Sequence, residues 1–364
     1  MIKVMHVLSD MKVGGAGRWL INLLKAADRT KYEVKVVLPV GSLLTDIIKD
    51  MGFQTVSVEG MNDKSFDKGT TLALYKLFKK EKPQIVHTHA SLSARIAARM
   101  AGVKGVVNTK HCLDGIRKGM GGFAGAVLNS RLSDRIIAVS NAVKQNIVES
   151  GISGSKVEVI YGGIEDIEEK SDEEKIRLRE GLGLSKEDIV VGIVARLSDV
   201  KGHIYFIEAA DIVSKAAQNV KFVIAGTGPK EAELKELVMK KGLQDRIVFT
   251  GYVEEVESIF NIIDINVISS VSEALCLSLI EGMCVGKPCI GTDTGGIPEV
   301  VRDGYNGYLV PVREAKELAD AILKLVQNPE LRKSMGDKGR ELVVQNFKAD
   351  VMARKIEKIY EALI

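Results

Sequence analysis

Two cationic side chains follow an apolar, β-branched run in the second half of the chain. The run is IVVGIVA, and Arg196 and Lys201 come directly after it in ARLSDVKG. At the end of a strand, two fixed cations could neutralise a diphosphate, with arginine giving forked contacts and lysine a point charge. Cations are also common on protein surfaces, so this pair alone does not identify a ligand.

The densest group of polar residues is SVSEALCLSLIEGMCVGKPCIGTDTGGIPEVV, residues 270–301. A helix beginning near Leu277 or Ser278 would place Glu273 in the loop before it and Glu281 on an early turn. The unpaired amides at that helix start could hold phosphate oxygens, and the carboxylates could accept hydrogen bonds from sugar or ribose hydroxyls. Alternatively, Glu281 is a first-turn acid that only stabilises the helix dipole.

Two glycine-rich turns follow predicted strands. Gly15 lies in GGAGR at the start of the first helix, where glycines permit close approach to an anion. The segment lacks the third glycine of a dinucleotide-binding fingerprint. Gly226 and Gly228 form a second turn, in AGTGP, which any sharp bend could require. For both turns, a tight bend without a ligand remains an open alternative.

The elements that must position these residues alternate between short apolar runs and amphipathic segments. This order predicts an α/β fold with parallel sheets covered on both faces by helices. In such doubly wound sheets, ligands bind beyond the carboxyl ends of the strands. The predicted strands are Lys3–Leu8, Glu33–Leu38, Gln54–Val58, Ile85–His89, Gly105–Thr109, Arg135–Val139, Val157–Tyr161, Ile189–Ala195, Val220–Ala225, Ile247–Gly251, Ile265–Ile268, Pro288–Gly291 and Gly307–Val310.

The length of 364 residues predicts two domains. We expect a first domain over residues 1–166 and a second over residues 167–347. A charged, core-poor stretch, Ile167–Arg179, suits a linker or a domain-opening helix. The amphipathic tail, Asp350–Leu363, is expected to form a closing helix.

Composition excludes several classes of protein. Hydrophobic residues make up 46% and charged residues 27%, which is ordinary for a protein with a packed core. The sequence shows neither a signal peptide nor a transmembrane run, and its four cysteines are singly spaced. We therefore expect a cytoplasmic protein with reduced thiols.

Charge is divided unevenly along the chain. Residues 1–165 carry 24 Lys and Arg against 14 Asp and Glu, a net +10, and the remainder carries 27 against 34, a net −7. A basic half could face an anionic substrate or the inner face of a membrane, or be an ordinary solvated surface. Aromatic residues total only 5%, so we expect no nucleic acid partner.

These motifs together resemble the family-4 retaining glycosyltransferases of the GT-B fold, and the resemblance extends over essentially the whole chain. That fold consists of two facing doubly wound Rossmann-like domains. The segments that match in order are GGAGRWLINLL, IVHTH, NTKH, IIAVSNAVKQNI, VEVIYGGIE, ARLSDVKG, Glu273 to Glu281, GKPCIGTDTGGIPE and DGYNGYLV.

The resemblance implies a task for each domain. The first would bind the acceptor, a glycan or a lipid-linked sugar, and the tail helix, about 348–364, would pack back on it. The second would bind a nucleoside-diphosphate sugar, which we expect to be UDP-linked and to carry a hexosyl or N-acetylhexosaminyl group. The similar enzymes keep the anomeric configuration without an obvious protein nucleophile, so that role is not assigned to Glu273, and we expect neither a cofactor nor a metal.

It also implies roles for individual residues. The catalytic set would be His111 at the transferred sugar, Arg196 and Lys201 at the diphosphate, and Glu273 at hydroxyls of the donor sugar. His87 and His89 match strand-end histidines of the family, which we interpret as structural. The substrate-binding set would be Gly15, Gly226, Gly228, Cys276, Leu277 and Glu281.

One departure from the family pattern concerns the donor site. The first glutamate is normally followed by Gly, an aromatic residue and Gly, whereas here Ala274, Leu275 and Cys276 follow Glu273. Two added Cβ atoms restrict the backbone beside the sugar, which could alter donor specificity or reduce activity. A non-catalytic GT-B protein that binds a nucleotide sugar, or serves as a regulatory subunit, is therefore an alternative, and an epimerase is a third.

A second open question concerns the membrane. The loop at Arg117 and Lys118 precedes GMGGFAGAVL, residues 119–128. This segment could lie on a bilayer or form a buried helix, and we favour the buried helix. The motifs do not specify the sugar, the acceptor, the linkage or the oligomeric state.

Overall fold

The chain divides into two compact units. In the computed structural model, which describes residues 1–61, 65–113, 115 and 120–364, the first unit comprises Met1–Glu165 with Phe347–Ile364. The second comprises Asp166–Asn346. Each unit has its own sheet, and every described strand pair is parallel. The α/β class with two doubly wound sheets is confirmed.

The first unit is built on a seven-stranded sheet of order β3-β2-β1-β4-β5-β6-β7. Its strands are β1 Ile2–Val7, β2 Tyr32–Pro39, β3 Gln54–Val58, β4 Ile85–His89, β5 Gly105–Lys110, β6 Arg135–Ala138 and β7 Val157–Val159. Its helices are α1 Gly15–Ala26, α2 Leu44–Asp50, α3 Lys68–Glu81, α4 Leu92–Ala101, α5 Met120–Leu132, α6 Asn141–Glu149 and, at the chain end, α15 Ala349–Glu361.

The second unit has a six-stranded sheet of order β10-β9-β8-β11-β12-β13. Its strands are β8 Ile189–Val194, β9 Val220–Ala225, β10 Ile247–Gly251, β11 Ile265–Ile268, β12 Cys289–Thr292 and β13 Gly307–Val310. Its helices are α7 Asp172–Gly181, α8 His203–Ala216, α9 Glu231–Lys240, α10 Val256–Ile262, α11 Leu277–Cys284, α12 Ile297–Val300, α13 Ala315–Gln327 and α14 Pro329–Asn346.

The strands are apolar along their length because helices cover both faces of each sheet. In the first unit the core includes Val37 and Val86 from the sheet with Phe78 from α3, none more than 1% exposed. In the second, Val190 and Phe260 are fully buried. Each such side chain contributes about 1.5–3 kcal/mol through the area removed from water.

The tail returns to the first unit through a close backbone contact. The Ile164 amide donates to the Phe347 carbonyl at 2.8 Å, and the Ala349 amide donates to the Ile164 carbonyl at 2.9 Å. A Cβ on Gly163 would lie 2.4 Å from the Lys348 oxygen, so this position requires glycine. Helix α15 therefore belongs to the first unit, although it ends the chain.

The structure decides between a linker and a helix for residues 167–179, but not between the alternatives for residues 119–128. Of the linker and helix alternatives for residues 167–179, the structure shows a helix, α7, which opens with a capping box between Ser171 and Glu174. Arg117 and Lys118 lie outside the described residues, and the side chains of most of the following apolar segment do as well. Whether that segment is buried or lies on a bilayer stays a prediction.

Candidate functional site

The strand order reverses next to β8 in the second sheet, because β9 lies on one side of it and β11 on the other. Ligands of open α/β sheets bind at such a reversal, beyond the carboxyl ends of the two strands that flank it. The loop after β8 carries Arg196 and Lys201, and the loop after β11 carries Glu273. The topology therefore brings both sequence-predicted loops to the same edge of the sheet.

Lys201 and Glu273 are the centre of this edge. The Lys201 ammonium donates directly to the Glu273 carboxylate, and both side chains are mostly buried, at 24% and 15% exposure. The Ser270 hydroxyl donates to the same carboxylate at 3.3 Å. Burial disfavours the charged form of Lys201, but attraction to Glu273 outweighs it and raises the pKa of Lys201. The lysine is therefore a permanent cation at neutral pH.

Arg196 lies two residues beyond the last residue of β8 and is exposed. Its guanidinium has no hydrogen-bond or ion-pair partner among the residues that the structure describes. Arg196 is therefore a cation of this edge that is open to a ligand, beside the paired Lys201.

The start of α11 lies beside this pair. Cys276 precedes Leu277, the first helical residue, and adopts a left-handed backbone with φ of +71°. Burial, then the nearby charge of Glu273, raises the pKa of the Cys276 thiol to about 12, so the thiol stays protonated. Lys201 and Glu281 also act electrostatically on this thiol, which places all four residues in one cluster.

The predicted position of the helix is confirmed. Helix α11 begins at Leu277, and its first turn contains no acidic residue. Glu281 is the fifth residue of the helix, so the alternative of a first-turn acid that stabilises the dipole is wrong. Glu281 is instead partly buried.

Gly226 and Gly228 serve close packing between two loops. A Cβ on Gly226 would lie 2.2 Å from the Ala195 oxygen, and one on Gly228 would lie 2.2 Å from the Leu197 oxygen. Gly226 also has a φ of +135°. These glycines fix the course of the loop that carries Arg196, and contact with a ligand stays a prediction.

Of the ten sequence-predicted site residues, only Gly15 and His111 lie in the first unit. Gly15 is the exposed first residue of α1, and an added Cβ would meet nothing within 4 Å. Strand order reverses beside β1 in this sheet, between β2 and β4, so the loop carrying Gly15 is at an equivalent edge.

His111 follows β5 and is half-buried among other rings. Its Nε2 atom lies 2.9 Å from Nδ1 of His89, and its ring makes an edge contact with Trp19 at 5.2 Å between centroids. Burial, helped by the charge of Lys110, lowers the pKa of His111 to about 3. The ring is therefore neutral at physiological pH.

A small cavity of about 90 Å³ lies in the first unit near the end of β5. It is lined by Arg95 and Lys110 together with Asn108, Asn129 and other residues, and the described lining contains no Asp or Glu. Arg95 is buried, donates to the Asn129 side chain at 2.8 Å, and has its pKa lowered to about 10 by burial.

Sequence reasoning missed two polar side chains in the second unit. His203 follows Gly202 directly at the start of α8, is buried, and has no partner for either ring nitrogen among the described residues. Ser278, the second residue of α11, has a buried hydroxyl that also has no partner among the described residues. Neither has a sequence signal beyond its position next to a predicted site residue.

Two features are absent from the part of the chain that the structure describes. Among its residues, groups of three or more His, Cys, Asp or Glu side chains with the geometry of a metal site are absent. Each described helix falls short of the length and apolar character that crossing a membrane requires. Metal independence and contact with a membrane surface both stay predictions.

Comparison with known families accounts for nearly the whole chain. A family described as "Glycosyltransferase Family 4" matches residues 13–167, and one described as "Glycosyl transferases group 1" matches residues 174–342. The chain belongs to the family-4 glycosyltransferases. This membership favours a glycosyltransferase enzyme over the non-catalytic protein and the epimerase that the sequence left open.

Curated relatives of this glycosyltransferase include enzymes with different acceptors. It is 27% identical over 304 residues to N-acetyl-alpha-D-glucosaminyl L-malate synthase of Bacillus anthracis, covering 81% of this chain and 79% of the relative. It is also 27% identical over 385 aligned positions to UDP-Gal:alpha-D-GlcNAc-diphosphoundecaprenol alpha-1,3-galactosyltransferase of Escherichia coli, covering 99% and 96%.

A solved structure confirms the fold of the glycosyltransferase. Anabaena Alr3699/HepE, crystallised in complex with UDP and glucose, superimposes with a TM-score of 0.87 at 21% identity, covering all of both chains. S. aureus TarM superimposes with a TM-score of 0.80 at 14% identity, covering 99% of each. The GT-B fold that the motifs predicted is therefore confirmed.

Proposed function

We propose that the enzyme transfers a sugar from a UDP-sugar to a glycan or lipid-linked acceptor, with retention of the anomeric configuration. The observation that carries this proposal is the Lys201–Glu273 pair beside the start of α11, at the strand reversal of the second sheet. The similar Alr3699/HepE was crystallised with UDP-glucose, which supports a uridine nucleotide.

Each polar group of this edge has a chemical task in the proposal. Arg196 and Lys201 compensate the charge that develops on the diphosphate as the bond to the sugar breaks. The first amides of α11 add oriented dipoles to the same anion. Glu281 accepts from ribose hydroxyls, and Glu273 accepts from hydroxyls of the donor sugar.

Retention is proposed to occur at the front face of the sugar. The bond between the anomeric carbon and the diphosphate oxygen breaks, the acceptor oxygen bonds to the same face, and the acceptor proton passes to the departing diphosphate. Glu273 is not assigned as a nucleophile, because its carboxylate is already engaged by Lys201 and Ser270.

An acceptor with an anionic group fits the first unit. The cavity near the end of β5 is lined by two cations, Arg95 and Lys110, without an acid in the described lining. Both relatives described above act on acceptors that carry anionic groups, a malate in one name and a diphosphate in the other. A lipid-linked diphosphate would also bring the basic first unit to an anionic membrane surface.

Donor identity is tested by thermal shift with UDP-, GDP- and ADP-sugars, since preferential binding raises stability by mass action. We expect the UDP series to give the largest shift and UDP release to follow with a suitable acceptor. The anomeric configuration of the product, read by NMR, should match that of the donor. An inverted product would overturn the retaining mechanism while leaving the transferase assignment intact.

The binding roles are tested with Arg196→Ala and Lys201→Ala, with Lys316→Ala as the matched control. Lys316 is an exposed lysine on α13 of the same unit, with 78% side-chain exposure. Each site variant should weaken UDP binding about tenfold or more, as expected for a lost charge-assisted contact. Unchanged UDP affinity in both variants would overturn the assigned roles.

A further inference from the structure

Five buried or half-buried rings of the first unit form one hydrogen-bonded chain that ends at His111. The rings come from separate elements, β1, β4, the end of β5 and the tail helix α15. In order they are His87, Tyr360, His6, His89 and His111, and the Thr109 hydroxyl closes the far end.

The links are short enough to be hydrogen bonds throughout. Thr109 Oγ1 lies 2.6 Å from His87 Nε2, and His87 Nδ1 lies 2.5 Å from the Tyr360 hydroxyl. That hydroxyl lies 3.4 Å from His6 Nε2, and His6 Nδ1 lies 3.2 Å from His89 Nε2. The last link, from His89 Nδ1 to His111 Nε2, is 2.9 Å.

Sheet register explains why these rings meet. In the parallel pairing of β1 with β4, His6 lies directly opposite His87, and their centroids are 4.8 Å apart. His89 is two residues along β4 and therefore shares the face of His87. Trp19 makes edge contacts with His87, His89 and His111, which restrains the row from α1.

A neutral imidazole has one N–H donor and one lone-pair acceptor, so a ring that donates to one neighbour must accept from the other. The direction of one hydrogen bond therefore fixes the direction of all the others. Burial keeps the rings neutral: it lowers the pKa of His6 and His111 to about 3 and those of His87 and His89 well below the ordinary value. The ring chain therefore has two fully hydrogen-bonded arrangements. They differ in which nitrogen of His111 carries hydrogen.

Tyr360 selects one of the two. A phenol is a stronger acid than a neutral imidazole N–H, so the hydroxyl donates along its shorter link, to His87 Nδ1. His87 then donates to Thr109, and the Tyr360 oxygen accepts from His6. The same direction continues, with His89 donating to His6 and His111 donating from Nε2 to His89.

We propose that this ring chain holds His111 as the Nε2–H tautomer, so that its Nδ1 atom is a hydrogen-bond acceptor for a hydroxyl of the substrate. Nδ1 of His111 has no partner among the described residues, and the ring is only half-buried. Tyr360, His6 and His89 are positioning residues in this account. The inference rests on the role proposed for His111 in sugar transfer.

The tautomer is read directly by NMR of the full-length enzyme labelled with 15N-histidine. The chain has only five histidines, and single His→Gln variants assign the signals. We expect His111 to show a protonated Nε2 and an unprotonated Nδ1 at pH 7.5. A protonated Nδ1 in the wild-type enzyme would overturn the proposal, and this measurement does not depend on donor, acceptor or activity.

Two variants test the direction of the chain. Tyr360→Phe removes the hydroxyl and should convert His111 to a mixture of tautomers. Thr109→Val removes the acceptor of the His87 N–H. The hydrogen bonds of the ring chain should then shift toward the opposite arrangement, with hydrogen on His111 Nδ1. Tyr32→Phe is the matched control, because Tyr32 packs against Tyr360 at 5.8 Å without joining the chain.

Activity supplies the second readout. In Tyr360→Phe, kcat/KM for the donor should fall about twofold for an equal mixture of tautomers, in proportion to the fraction of His111 that leaves the Nε2–H form. A wild-type tautomer pattern in both variants would overturn the coupling. If transfer activity is absent in every protein but the tautomers shift as expected, the coupling stands and the proposed function fails.

Discussion

At the scale of single residues, the proposed donor site depends on the ion pair between Lys201 and Glu273. Their mutual pairing lets each side chain be largely buried without an uncompensated charge. It also orients the carboxylate and keeps the lysine protonated, so both are in place before a ligand arrives. In the proposed function, Arg196, which is exposed, supplies the adaptable contact to the diphosphate.

Cys276 carries backbone strain at a position where the family pattern has glycine. Its φ of +71° costs a residue with a Cβ about 1–2 kcal/mol. Cys276→Gly and Cys276→Ala both remove the thiol, but only the glycine variant removes the strain. We expect Cys276→Gly to be more stable than Cys276→Ala by roughly 0.5–1 kcal/mol, after the entropy cost of glycine.

Urea denaturation of the two variants measures this difference. The order expected here is the reverse of the helix-propensity order, in which alanine is favoured. An alanine variant as stable as the glycine variant would show that the left-handed conformation is not populated in solution. Donor screening of Cys276→Gly tests separately whether the added Cβ restricts specificity.

At the scale of elements, most of the fold could be predicted from the sequence. All thirteen strands are confirmed to within two residues at either end, because short β-branched runs between turn residues are a strong local signal. Strand β12 begins at Cys289 and not at Pro288, and a proline cannot donate to the ladder. The predicted helix start near Leu277 is also confirmed.

The ring chain could not be predicted in the same way. His87 and His89 alternate along one strand, which indicates a shared face, and the sequence interpretation of both as structural residues stays untested. That His6 lies opposite His87 depends on the register of β1 against β4. That Tyr360 reaches them depends on the return of α15 to the first unit, which no local pattern specifies.

The turn after β9 gives a prediction at this scale. In Gly228→Ala the new Cβ would lie 2.2 Å from the Leu197 oxygen, a backbone atom that cannot rotate away. We expect the loop carrying Arg196 to be displaced, with a loss of about 1–3 kcal/mol in stability and at least a tenfold loss in UDP affinity. Denaturation and UDP titration measure the two effects.

Gly181→Ala in α7 is the control for this change. It lies in the same unit, and a Cβ there would meet nothing within 4 Å. We expect stability and UDP affinity close to those of the wild-type enzyme. If Gly228→Ala binds UDP as well as this control does, the turn does not position the Arg196 loop.

At the scale of the whole molecule, the two units differ in net charge and in their number of buried histidines. Counted over the structural units, the first carries 28 Lys and Arg against 17 Asp and Glu, and the second carries 23 against 31. The first unit is thus strongly basic and the second acidic. Anionic partners are accordingly expected to associate with the first unit, more strongly at low salt.

Acid should destabilise the first unit before the second. Four of the five histidines are in the ring chain, and burial holds their pKa values below the ordinary 6.5. Below pH 6.5 the unfolded chain therefore binds protons that the folded chain does not. Stability is full above this pH and falls as pH decreases, by about 2 kcal/mol per fully buried ring at pH 5. His203 is the single such group in the second unit.

Trp19 makes the test specific, because it is the only tryptophan of the chain and contacts three of these rings. Urea unfolding followed by Trp19 fluorescence should lose several kcal/mol between pH 7.5 and 5, a range in which carboxylates remain ionised. His203→Gln should leave this transition unchanged. A midpoint independent of pH over that range would mean that the rings are protonated in the folded unit, which would also remove the premise of neutral rings on which a fixed His111 tautomer depends.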